Sequence, residues 1–292
     1  MSDFIFRDVE RFTEYIPTAV GSNLEDLRPY LQEAEIWLKN ELFGAPLYDK
    51  IVSLSQALPV APVPPSEIQE ATDILKAAEL VICLKAYLSG IPFLDVIQTP
   101  NGFAVVNNAN HAPASKERVE RLIKFVARRL TDALDVLIEY AFSYSFYRDL
   151  WAQDEELFNR HTEIVFIKTS ELRRYSATSV TFVDLFTIRP LILSMQSEIA
   201  GYFSIAYLDE LIEKRRDATL SVYDKRVFRA IQIIIGLKLQ NASFYHMVEQ
   251  ELNYMIEHPD EYPTYIASVE YKLKISQKYE NRRRHATFFF NG

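Results

Sequence analysis

Residue types that could do chemistry are few and scattered along this 292-residue chain. The five histidines are His111, His161, His246, His258 and His285, and His246 with Glu249 is a candidate ligand pair at i and i+3. A two-iron helical bundle needs two Glu-x-x-His sequences and further carboxylates. Here the order is reversed and occurs once, so His246 reads as a surface histidine. Asp154-Glu155-Glu156 could attract a divalent cation. Adjacent acids point in different directions, however, and acids in this position favour the start of a helix. The single cysteine, Cys83, excludes an internal disulfide and a multi-cysteine zinc site. It sits in Leu80-Val81-Ile82-Cys83-Leu84, the setting of a buried, inert thiol. With 7 glycines in all, the chain has no glycine-rich phosphate cradle, and it carries no dinucleotide fingerprint or nucleophile elbow. The expectation is a protein that is not an enzyme, with no catalytic, cofactor-binding or metal-binding residues and no cofactor.

Two basic clusters are better candidates for contact than for catalysis. Lys116, Arg118, Arg121, Lys124, Arg128 and Arg129 are interspersed with Glu117 and Glu120. That mixture suits a solvent face or a salt-bridged subunit contact more than a DNA footprint. Near the C-terminus, Lys272, Lys274, Lys278, Arg282, Arg283 and Arg284 precede Phe288-Phe289-Phe290. Three consecutive phenylalanines invite aggregation unless covered. They either dock on a partner or fold back on their own chain.

The elements that must position these residues are helices. Low glycine content favours helix over a strand-and-turn fold, and 49% hydrophobic with 25% charged residues excludes a disordered chain. The net charge of -8 argues against a general nucleic-acid coat. The N-terminal Met1-Ser2-Asp3-Phe4 lacks the start of a signal peptide, and no apolar run approaches the ~20 residues of a membrane span. A soluble protein made in a cytoplasm is expected.

Ser22-x-x-Glu25 and Ser66-x-x-Gln69 have capping-box spacing, and Pro29 suits a first helical turn. One helix then runs from Leu31 to near Gly44 and a second ends at Gly90 before Pro92. A long third helix opens at Ser115. Further on, Asp184 to about Lys214 and Ser221 to about Ile256 read as two long helices. Between Gly90 and Ser115 the pattern changes: Phe93–Thr99 and Phe103–Asn107 flank Pro100-Asn101-Gly102, the signature of a β-hairpin. A β-hairpin or extended arm is expected there, a contact element and not core, with Asn101, Gly102, Phe103 and Val105 as its interface residues.

The chain also repeats itself. Tyr15, Thr18 and Leu27-Arg28-Pro29-Tyr30-Leu31 find counterparts in Tyr175, Thr178 and Ile188-Arg189-Pro190-Leu191-Ile192. Phe43 with Leu47-Tyr48-Asp49-Lys50-Ile51 is echoed by Phe203 with Tyr207-Leu208-Asp209-Glu210-Leu211, and Leu84-Lys85 by Leu237-Lys238. The offset stays near ~160 residues and drops only after a proline-rich loop, Pro59–Pro65, present in the first copy alone. The expected architecture is mainly α: two tandem related helical-bundle repeats, 1–150 with the arm at about 93–107 and 151–270, followed by a basic-aromatic tail, 271–292.

On Leu27-Arg28-Pro29-Tyr30, Asn101-Gly102-Phe103-Ala104-Val105, Pro113-Ala114-Ser115, Asp149-Leu150-Trp151 and Phe166-Ile167-Lys168-Thr169 through Arg189-Pro190, the chain resembles a family of uncharacterised two-repeat proteins of tailed phages and prophages of gut bacteria. In helix order each repeat is similar to the small head–tail connector proteins that form a ring beneath the portal. The resemblance implies a virion structural protein, a connector or adaptor in a homo-oligomeric, twelve-fold ring between portal and tail. It implies as partners the portal protein, a tail or stopper protein, and genomic DNA passing through the bore without sequence-specific binding. The expected location is the head–tail neck of the virion, after assembly in the host bacterial cytoplasm. The intersubunit contacts would come from Asn101, Gly102, Phe103 and Val105 and from Arg282, Arg283, Arg284, Phe288, Phe289 and Phe290. Two other classes compete: an intracellular helical-bundle enzyme or metal-binding protein, and a DNA-binding regulator using the Lys116–Arg129 helix.

Overall fold

The computed structural model describes residues 4–6, 12–16, 24–57, 65–93, 96–99, 102–105, 115–176 and 180–276. It is mainly α and divides into two compact units, Met1–Arg174 with Thr178–Thr187, and Tyr175–Ala177 with Ile188–Gly292. Among the described residues no helix is long and apolar enough to cross a membrane.

The first unit is built on α1 (Phe12–Tyr15), α2 (Arg28–Trp37), α3 (Gly44–Ala57), α4 (Pro65–Gly90), α5 (Lys116–Ser143), α6 (Ser145–Ala152), α7 (Glu155–Thr162) and α8 (Thr169–Tyr175). Between α4 and α5, β1 (Val96–Thr99) pairs antiparallel with β2 (Gly102–Val105), with Val96 opposite Val105 and Thr99 opposite Gly102. Ile91–Phe93 forms a 3-10 turn that continues α4, so Phe93 belongs to the helix end and not to a strand. Helix α4 is buried on several sides through Ile74, Ala78, Val81, Ile82, Cys83 and Ala86. It is the central helix, packed by both α2 and α5, which is why its apolar residues do not keep to one stripe. Helix α5 lies at the margin and buries a single face, Val126, Leu130, Leu134, Leu137, Ile138 and Ala141. Tyr144, just past α5, donates to Asp73 near the start of α4 at 3.0 Å, so the two long helices run antiparallel.

The first unit extends past residue 150, where the repeat pattern places its end. The reason is Trp151, fully buried, which meets Phe43 and Phe158 edge-on at 5.3 and 5.5 Å and donates its indole N–H to the Leu42 carbonyl at 2.9 Å. That carbonyl belongs to a π-helical stretch, Leu38–Phe43, that closes α2. His161 Nε2 lies 3.0 Å from the neighbouring Glu41 carbonyl, so two ring N–H groups stand where helix-end carbonyls lack partners. Asp135 on α5 accepts from the Thr169 N–H and hydroxyl, both at 2.8 Å, and from the Ser170 N–H at 2.7 Å, which fastens α8. Near the N-terminus, buried Glu35 accepts from the N–H groups of Ile5 (2.6 Å) and Phe6 (2.8 Å) and from the Tyr48 hydroxyl.

The second unit contains most of α9 (Phe182–Phe203), then α10 (Ile205–Arg216), α11 (Val222–Leu239), α12 (Tyr245–Glu257), α13 (Pro263–Ala267) and α14 (Val269–Ser276). The two long helices expected here are each broken. Ser204, at φ 78°, ends α9 and N-caps α10 by accepting from the Tyr207 N–H at 3.2 Å. Asn241, at φ 54°, separates α11 from α12. Ser221 and Asp224 form a complete capping box on α11, while Ser66 lies inside α4, whose first residue is Pro65. Gly236 sits where α11 passes the chain at Tyr175, whose carbonyl would be 2.5 Å from an added Cβ. Buried Asp224 also takes Lys214 at 3.1 Å, and Arg226 bonds Glu251 through two nitrogens while lying 3.6 Å from the Tyr254 ring centroid.

Candidate functional site

The strand pair is the first candidate. Its backbone places Gly102, Phe103 and Val105 on β2, opposite Thr99, Gln98 and Val96. Asn101 lies outside the described residues, as do Arg282, Arg283, Arg284, Phe288, Phe289 and Phe290. At the root of the strands Phe93 is 62% exposed and stacks on Tyr30, ring centroids 6.0 Å apart. Tyr30 also closes on Gly90, where an added Cβ would come within 3.2 Å of its ring. Residues of the Leu27–Tyr30 block thus support the end of α4 from which the strands depart.

The residues weighed for catalysis take structural positions. Asp154 caps α7, accepting from the Leu157 N–H at 3.2 Å. Glu156 pairs with Arg160, which also reaches Glu41 at 3.2 Å. Cys83 is fully buried. His246 is exposed; with Glu249, Asn253, Tyr254, Glu257 and Arg226 it lines an open cleft on α11 and α12. Among the described residues no three His, Cys, Asp or Glu side chains gather at metal-binding distance.

Charge is distributed unevenly along the first unit. Arg118, Arg121, Lys124 and Arg128 are exposed on the N-terminal half of α5. Lys116 is drawn to Glu120 at 3.8 Å, and Arg121 Nε donates to the Glu117 carbonyl at 3.3 Å. At the other end of the α4/α5 pair stand Glu67, Glu70 and Asp73, with Asp73 accepting from Gln69 and Tyr144. Burial, then the hydrogen bond to Asp73, pushes the Tyr144 phenol up to about 12. Burial, then the Glu70 and Glu67 carboxylates, does the same to Tyr147. Single residues in a sequence give no sign of this trio. The i, i+3, i+6 spacing of carboxylates on α4 is the signal that could have found it.

Chemically these surfaces can bind charged or apolar partners. Residues 22–155 match the profile of a family of unknown function, DUF6712, and the matched stretch lies within the first unit. No curated protein and no solved structure matches the chain.

Proposed function

We propose that this chain is a virion structural protein, a head–tail connector or adaptor that assembles as a homo-oligomeric ring between the portal and tail of a tailed phage. The observation that carries this reading is the strand pair inserted between α4 and α5. A two-stranded ribbon is marginal alone in water, and both its outer edges carry unpaired N–H and C=O groups. Among the described residues the remaining elements are helical, and none of them is a further strand that extends the pair. A neighbouring subunit is the natural cover. One copy meeting the next through different surfaces, with a rotation that closes, produces a ring.

The reading includes a duplicated chain. In its support, Phe43 precedes Gly44 at φ 73° and Phe203 precedes Ser204 at φ 78°, and in each case a helix follows at once. The matching residues Leu47 and Tyr207, Tyr48 and Leu208, and Ile51 and Leu211 are all buried. Arg282–Arg284 and Phe288–Phe290 would dock on a neighbour or on the portal. The ring would sit in the virion neck after assembly in the host cytoplasm. A chain of net charge -8 would let genomic DNA pass without holding its phosphates.

Replacing residues 94–107 by a short Gly/Ser linker tests this. The variant should keep its helical circular dichroism and sediment as a monomer while the wild type sediments as an oligomer. Unchanged oligomerisation would refute the arm. Loss of the helical signal would assign the strands to the core.

A further inference from the structure

The first unit is electrically polar along the α4/α5 pair. On α5, Arg118, Arg121, Phe125 and Arg128 follow one another at i, i+3, i+7 and i+10, a single helical face. Lys124 stands beside them, and Phe125 is 58% exposed. Among the described residues none of these four cations is ion-paired with a carboxylate. Glu67, Glu70 and Asp73, at the start of α4, likewise have no cation within ion-pair distance; Lys50 stands instead over the Phe146 ring, 5.3 Å from its centroid. Burial first, and then Asp73 and Glu70 for Tyr144 and Glu70 and Glu67 for Tyr147, raise the two neighbouring phenols.

Distance decides whether the two ends satisfy each other within one chain. Tyr144 touches Asp73, and from the middle of the cationic row to Tyr144 is about twenty residues of helix, ~30 Å at ~1.5 Å per residue. That is several times the Debye length of ~8 Å at physiological salt. Each end therefore acts on its surroundings as an independent charge.

We infer that the cationic face of α5 docks on the acidic start of α4 in a second copy of this chain, head to tail. The inference rests on the ring reading and names the contact that builds the ring. The complementary surface is present on the chain itself, and arginines around an exposed aromatic ring are the composition enriched at protein interfaces. Duplex DNA is the less suitable occupant: Glu117 and Glu120 are interleaved with the row, and the chain as a whole carries -8. A head-to-tail contact leaves an unfilled face on each subunit until the circle closes.

Charge reversal with complementation tests the contact. Arg121→Glu with Arg128→Glu is one variant, and Glu67→Lys with Glu70→Lys the other. Arg121, Arg128 and Glu67 are exposed and Glu70 is half-buried, and among the described residues none of them is ion-paired, so both variants should keep the wild-type circular dichroism. Each alone should self-associate at least about a hundredfold more weakly than wild type, since like charges then face each other. An equimolar mixture should recover assembly, because every contact in an alternating ring is again of opposite sign. Wild-type assembly should weaken as sodium chloride is raised. Reversed variants that assemble like the wild type would overturn this contact and leave the ring reading standing. A wild type that stays monomeric at low salt would overturn both. Wild-type binding of a labelled DNA duplex that the arginine reversal abolishes, with self-association unaffected, would assign the face to nucleic acid instead.

Discussion

Substituting alanine at Gly44 probes the joint on which the first unit turns from its π-helical stretch into α3. Gly44 holds φ 73° and ψ 174°, a conformation that costs an L-residue about 1–3 kcal/mol. The added methyl would lie 2.5 Å from the Cβ of Asp154. Asp154 must then shift as a whole and release the Leu157 N–H, and losing such a cap costs about 1 kcal/mol. Alanine returns about 0.5–1 kcal/mol by narrowing the unfolded ensemble. The net loss is about 1–3.5 kcal/mol, or a melting temperature lower by about 2–14 °C. Far-ultraviolet circular dichroism melts would read it directly. A double-mutant cycle with Asp154→Ala sharpens the test: once the Asp154 carboxylate is gone, Gly44→Ala should cost about 1 kcal/mol less, because the cap is already lost. A melting temperature within about 1 °C of wild type, or strictly additive effects, would refute the reasoning.

Three further outcomes follow from the second unit and the tyrosines. Ser204→Gly should raise the melting temperature by about 2–4 °C, since relief of about 1–3 kcal/mol of strain at φ 78° exceeds the few tenths lost with its cap together with the about 0.5–1 kcal/mol of added freedom in the unfolded chain; a fall would show that these two losses outweigh the strain. Burial alone would raise the Asp224 carboxyl, but the Ser221 backbone and side chain and the Lys214 ammonium hold it below the usual carboxylate range. Its stabilisation is thus present at neutral pH and lost as pH falls below the ordinary value of 3.8, so Asp224→Asn should flatten the acid limb of a stability–pH curve. Tyr144 and Tyr147, raised from 10.0 to about 12, stabilise the fold fully below pH 10 and lose that contribution as pH climbs toward 12. Tyrosinate absorbance should show both ionising late, and either Tyr→Phe variant should remove one phenol from the late class; ionisation near 10 would contradict their burial.

The legible part of this fold was whatever rests on local pattern. Ala71, Ile74, Ala78, Val81 and Ile82 announce α4 by spacing alone, and Gly90 before Pro92 marks its end. Ser204 was illegible because a serine at positive φ is no ordinary break signal, and its cap to the Tyr207 N–H is seen only in the fold; Asn241 was legible by type, since asparagine tolerates the left-handed backbone of a helix end, but the apolar run before it reads on into α12. The end of the first unit was misplaced because Trp151 serves residues more than a hundred positions earlier, which no local window reveals. The same holds for Asp135 and Thr169, whose pairing is tertiary. Of the candidate contact surfaces, the cationic row of α5 could be read from residue types. The acidic trio on α4 shows in its i, i+3, i+6 spacing, but its relation to the cationic row depends on which end of the neighbouring helix it stands beside, and that is tertiary.

The proposed ring is tested most directly by mass photometry of the purified wild-type protein at low salt, with electron micrographs of the same sample. One dominant closed assembly of fixed subunit number, with a central opening, is expected, and it should dissociate as salt is raised. A single monomeric species at every protein and salt concentration tested would contradict it.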